Sequence, residues 1–150
     1  MDKETNNLYY VCSLIEFIGR MTKNRNNKIV EILGKDELKR QLYLAEVNHC
    51  LSFEQVASEL VDEFEIKESD FDSVGRCRYK IPSYTSIGGV YRDLILDVMK
   101  QGKGKQSIVD IMYEVFTSFI SDEISDFNTS TYYENPSYIY HSYRMGELLD

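Results

Sequence analysis

Residues 75–92 read GRCRYKIPSYTSIGGVYR, a stretch with four cations and no acid in a chain whose formal net charge is −8. Cations gathered ahead of a helix start are one way to hold an anion. The first turn of a helix leaves backbone N–H groups without intrahelical partners, and its dipole favours negative charge. Thr85 or Ser86 is suited to cap the apolar stripe that begins at Ile87. Gly88 and Gly89 would let a ligand approach that turn. The anion-binding set is then Arg76, Arg78, Lys80, Ser86 and Arg92, taking a phosphate, a nucleotide or a carboxylate. A second reading needs no ligand. Between Glu54 and Asp72 stand eight acids against Lys67 alone, and a turn would bring the two blocks together. Because the stretch lacks Walker-type spacing and no strand clearly feeds it, pairing of Arg76, Arg78 and Lys80 with those acids, or their plain solvation, is the leading expectation, ahead of the anion site and of a partner-binding patch.

Other chemistry-bearing residues are scattered. His49 and Cys50 are adjacent, and neighbours on a helix point about a hundred degrees apart, so they do not form a nucleophile and base. Cys77 and His141 add no CxxC or HxxxH spacing, and no metal site, catalytic residue or cofactor is expected. The stretch QGKGKQS at 101–107 lacks the order of a phosphate loop and reads as a connector between helices. Five tyrosines, Tyr132, Tyr133, Tyr138, Tyr140 and Tyr143, fall within twelve residues. Tyrosine offers a large ring with a polar tip. These five either pack on the fold as a tail or form a partner-binding surface.

Something must position these groups, and a chain of 150 residues is the size of one domain, long enough to bury its own core. Three cysteines without close spacing fit a reducing cytoplasm rather than a disulfide framework. The polar start MDKETNN lacks the look of a secretion leader. Glu16 interrupts the one early apolar run, so no membrane span is expected. A pI near 4.8 argues against nucleic acid as a partner.

Helical periodicity fills nearly all of the chain. A first helix over about 5–22 is apolar on two sides, through Leu8, Val11, Cys12, Ile15 and Ile18 and through Tyr10, Leu14, Phe17 and Met21. A helix of that kind lies in the middle of a bundle or faces a partner. A short helix over 27–33 ends at Gly34, and another spans 36–49. Ser52 and Gln55 form a capping box for a helix from Phe53. One helix begins near 87 and ends before Gly102. Another runs from 107 to 127 with Ser107 as cap and nine large apolar residues on one stripe. A last one covers 138–149 after the Asn135–Pro136 turn. The fold class is all-α, a single-domain bundle of six or seven helices, with one short extended segment near residues 76–81.

The order LYYVCSLIEFIGRMTKN, NKIVEILGKDELKRQL and LAEVNHCLSFEQVASELV resembles small helical bacterial proteins encoded beside ADP-ribosyltransferase-like toxin genes. The likeness covers roughly the first 65 residues and carries no catalytic residue. It implies a non-catalytic, antitoxin-like regulator with a protein partner that is itself toxin-like. Three functions are in contention: a cytoplasmic protein-interaction or regulatory protein, with a homodimer as one form of it; an anion- or nucleotide-binding enzyme or sensor using loop 76–92; and an acidic secretion chaperone, which would carry a twisted sheet.

Overall fold

In the computed structural model, residues 2–149 are described. Seven α-helices follow one another: α1 Lys3–Thr22, α2 Asn26–Asn48, α3 Phe53–Glu63, α4 Tyr84–Gln101, α5 Ile108–Phe116, α6 Phe119–Ser125 and α7 Pro136–Met145, with a 3₁₀ turn at Thr131–Tyr133 before the last. No strand occurs among the described residues.

Helix α1 occupies the centre, as its two apolar sides require. Leu8, Val11, Cys12, Leu14, Ile15 and Ile18 are all at most 1% exposed, and α1 packs against α4, α2 and α3. Asp2 caps it by accepting from the Thr5 N–H at 2.7 Å. Its closest approach is to α4, where Gly88 lies under Ser13. A Cβ at position 88 would overlap the Ser13 hydroxyl and sit 2.8 Å from the Ser13 backbone nitrogen. Gly88 therefore serves the crossing of two helices rather than the approach of a ligand.

The helices end where local chemistry dictates. α2 is continuous through both helices expected there but kinks at Gly34, whose φ of 77° and ψ of 169° lie outside the helical region. α3 starts at Ser52, whose hydroxyl accepts from the Gln55 N–H. α4 starts earlier than expected. Its cap is Ser83, not Thr85 or Ser86: extended at φ −66° and ψ 155°, Ser83 accepts from the Ser86 N–H. The single helix expected over 107–127 is two. The Thr117 hydroxyl donates to the Tyr113 carbonyl at 2.6 Å and the Ser118 hydroxyl to Val115 at 2.7 Å. Ser118 then turns extended, because two successive hydroxyls compete for the last carbonyls of the turn. The apolar stripe survives the break: Phe116, Ile120 and Ile124 are fully buried and Phe127 nearly so. The last helix begins at Pro136 in the first-turn position behind Asn135, and ends at Gly146, φ 81°.

The connection 64–83 is irregular and lies along the end of α1. Ser69 and Phe71 donate to the carbonyls of Thr22 and Lys23, both at 2.9 Å. Residues 76–81 form no strand. Instead the Asn128 carboxamide accepts from the Arg78 N–H at 2.8 Å and donates to the Arg76 carbonyl at 3.0 Å. One side chain thus takes the place that a neighbouring strand would fill.

A polar chain crosses the core. The Glu16 carboxylate, 3% exposed, is paired with Arg20 at 2.7 Å and accepts from the Asn26 amide at 2.7 Å. Asn26 reaches the Tyr91 hydroxyl at 3.5 Å, and that hydroxyl is 2.8 Å from the Ser121 hydroxyl. Arg20 also donates to the Pro82 carbonyl at 2.8 Å. The Tyr91 ring is stacked on Phe116, with centroids 4.0 Å apart. α1, α2, α4, α6 and the end of the long loop are joined in this way.

Two outcomes follow for stability. Gly88→Ala should cost about 1–3 kcal/mol in urea denaturation through overpacking. Gly89→Ala, whose Cβ would make only ordinary contacts, should be neutral or stabilising by up to about 1 kcal/mol. A harmless Gly88→Ala would show that α1 and α4 are not in close contact. Burial, ahead of the opposing pull of Arg20 and Asn26, raises the Glu16 pKa above its ordinary value of 4.5. The native state therefore binds this proton more readily than the unfolded chain. The Glu16 contribution is fully present below the unfolded value and lost as pH rises through the native one. The stability of the wild-type chain relative to Glu16→Gln should accordingly grow as pH falls from about 7 to about 5. Denaturation curves across that range test it, and the opposite slope would mean that the pairing outweighs burial.

Candidate functional site

The basic stretch does not pair with the acids upstream of it. Arg76, Arg78 and Lys80 are exposed, and none of the ion pairs within 4 Å among the described residues involves them. The local geometry explains why. Asp72, the nearest acid, accepts from the Gly75 N–H at 2.8 Å to close the turn. Arg76 lies over the Phe71 ring at 5.4 Å, which Arg25 also approaches, at 4.1 Å. Arg78 lies 6.0 Å from the Tyr79 ring.

The other two members of the anion-binding set are held elsewhere. Ser86 stands in the first turn of α4, its hydroxyl accepting from Ser83 at 2.9 Å. Arg92 is two turns further on, paired with Asp93 at 3.0 Å and lying over Tyr9 at 4.7 Å. The five side chains have different neighbours, and the structure does not bring them to one cleft.

The C-terminal tyrosines divide. Tyr132, Tyr138, Tyr140 and Tyr143 are half-buried and pack against the core. Tyr132 meets Phe127 edge-on at 5.6 Å, and the Tyr138 hydroxyl donates to the Leu149 carbonyl at 2.9 Å. Tyr133 alone of the five is exposed, at 68%. Most of this cluster is therefore a tail laid on the bundle. Cys12 is in the core, where burial pushes its thiol well above the ordinary range. Cys50 and His49 are exposed, and the Cys77 thiol donates to the Tyr79 carbonyl at 3.4 Å. No three potential metal-ligating side chains come together among the described residues.

The surface that stands out lies at the turn from α2 to α3. Tyr43 is 83% and Val47 68% exposed, and Leu51 follows at 39%. Tyr43 and Val47, spaced by four, share one face of the last turns of α2, and Leu51 continues the apolar patch in the turn that follows. The stripe runs into α3, where Glu54, Glu59, Asp62 and Glu63 are exposed, and then into exposed Glu65, Glu68 and Asp70. Of these seven acids only Glu68 has an ion pair among the described residues, with Lys23 at 3.5 Å. The acids were plain in the sequence. The stripe was not singled out there, although the four-residue spacing of Tyr43, Val47 and Leu51 was the signal for it.

Comparison with protein families, curated proteins and solved structures finds no match to this chain.

Replacing Arg76, Arg78 and Lys80 together by Gln should shift Tm by less than about 4 °C at low and at high salt, since exposed cations of this kind contribute at most about 1 kcal/mol. Melting curves at two salt concentrations decide it. A large loss confined to low salt would show that these cations are paired with acids in solution.

Proposed function

We propose that this chain is a non-catalytic interaction protein that regulates a partner protein in an antitoxin-like manner, and that it holds a basic amphipathic segment of that partner on the α2–α3 surface. The observation that carries this reading is the exposed apolar patch Tyr43, Val47 and Leu51 leading directly into the α3 acids Glu54, Glu59, Asp62 and Glu63, none of which has an ion pair among the described residues. An apolar strip flanked by uncompensated negative charge complements a helix with an apolar face and basic flanks. The acids would speed encounter, and the stripe would supply the contact area that water leaves on association. The likeness of the first 65 or so residues to proteins encoded beside toxin genes agrees with such a role, and a toxin-like protein is a fitting partner. The secretion-chaperone reading asks for a twisted sheet, and no strand among the described residues supports it.

Two variants test the proposal: Tyr43→Ala with Val47→Ala, and Glu54→Lys with Glu59→Lys and Asp62→Lys. These side chains are exposed, so both variants should keep the circular dichroism of the wild type. Wild-type protein immobilised as bait should retain a basic protein from the native host, identified by mass spectrometry. The charge-reversal variant should lose it, the alanine variant should weaken it at least tenfold, and added salt should weaken the wild type. Retention indifferent to both variants would reject this surface. Self-association of the wild type, abolished by the alanine variant, would instead make the stripe a homodimer contact.

A further inference from the structure

On a different side of α2 lies a cleft of about 770 Å³, bounded by the first turns of α1, the end of α2, the start of α3 and the start of α4. We infer that this cleft is a second binding site, for a small uncharged planar molecule that carries hydrogen-bond donors and acceptors on its edge, the chemistry of nucleobases and free nucleosides. The inference is independent of the partner surface.

Its volume falls within the range of small-molecule sites. Its walls are aromatic and already fixed in place. Tyr10 and Phe53 are stacked with centroids 5.0 Å apart. Phe53 is backed edge-on by Tyr84 at 5.0 Å and tilted against Phe17 at 6.0 Å. Tyr9, which also lines the cleft, lies under the Arg92 guanidinium at 4.7 Å. Such faces accept a flat ring.

The polar groups around the cleft define the ring's edge. The side chains of Asn6, Asn7 and His49, and the Tyr9 hydroxyl, line this space and make none of the hydrogen bonds found among the described residues. A carboxamide offers a donor and an acceptor side by side, so Asn6 and Asn7 suit an edge that alternates the two. An aliphatic ligand would leave these groups unpaired and desolvated. The charged residues at the rim, Lys3 and Glu46, are of opposite sign and paired with each other at 3.1 Å, so the rim presents no net charge to favour a charged ligand. A neutral heteroaromatic ring satisfies both the walls and the edge.

The test uses the wild-type chain, Asn6→Ala with Asn7→Ala, and Tyr9→Leu. Adenosine, guanosine and uridine are titrated separately, with cyclohexanol as an apolar, non-planar control. Binding is read by saturation-transfer NMR on the ligand and by the shift in Tm. At least one nucleoside should receive saturation on its ring protons and raise Tm with concentration. The double Asn variant, shown folded by circular dichroism, should weaken its binding about tenfold or more, as the loss of about 1.4 kcal/mol of hydrogen bonding implies. The Tyr9→Leu variant should weaken it as well. The inference is overturned if no nucleoside binds at about 10 mM, if binding is unchanged in the double Asn variant, or if cyclohexanol binds as tightly as the nucleosides.

Discussion

The arrangement of this bundle depends on one carboxylate. Glu16 is buried on the helix that α2, α3 and α4 pack around, and a buried charge is tolerated only where it is paired and hydrogen-bonded. Its two oxygens are used by two different neighbours, Arg20 from the next turn and Asn26 from the start of α2. Each neighbour reaches on to something else: Arg20 to the carbonyl of Pro82, Asn26 towards Tyr91 and through it to Ser121. The apolar stripes bring the helices together without regard to register. The Glu16 chain permits only one register, because a slip of any member strands a polar group in the core. It also fixes where the long loop ends and where α4 begins.

From that constraint follows the division of the surface. Arg20 is turned inward and Arg25 is engaged with Asp122 at 3.1 Å and with Phe71. Cations near the end of α1 are thus used within the fold, while the acids of α3 and the residues after it are left facing water. A chain with net charge −8 is in this sense more acidic on that face than its composition suggests, and a partner would meet it there.

Much of the fold was legible because its signals are local. Period and capping are written within a few residues of each other: Ser52 with Gln55, Ser107 before Ile108, Asn135 with Pro136, and the break at Gly34. The two apolar sides of α1 likewise announced a central position. What escaped were choices settled by competition or by distant partners. Ser83, Thr85 and Ser86 could each cap α4 on type alone, and the extended backbone after Pro82 decided for Ser83. Thr117 and Ser118 are unremarkable in a helical pattern until both hydroxyls take carbonyls of the same turn. Asp72 counted as one more acid for the basic stretch, yet it was used on Gly75 three residues away. The candidate surfaces were least legible, since exposure is a property of what fails to cover a residue. Nothing at Tyr43 or Asn6 in the sequence says that no other element will arrive.

The crossing of Ser13 over Gly88 has a consequence for how the protein is made. Helix α1 finds its principal partner some seventy-five positions later in the chain. Until α4 has been synthesised, α1 is apolar on two sides with only α2 and α3 to cover it. Contacts this distant in sequence are slow to close and leave apolar surface open meanwhile. The nascent chain therefore keeps this apolar surface open until α4 is made. For the same reason the first 65 residues are not a module that stands alone: cut before α4, they would carry the central helix of a bundle without the partner that makes it central.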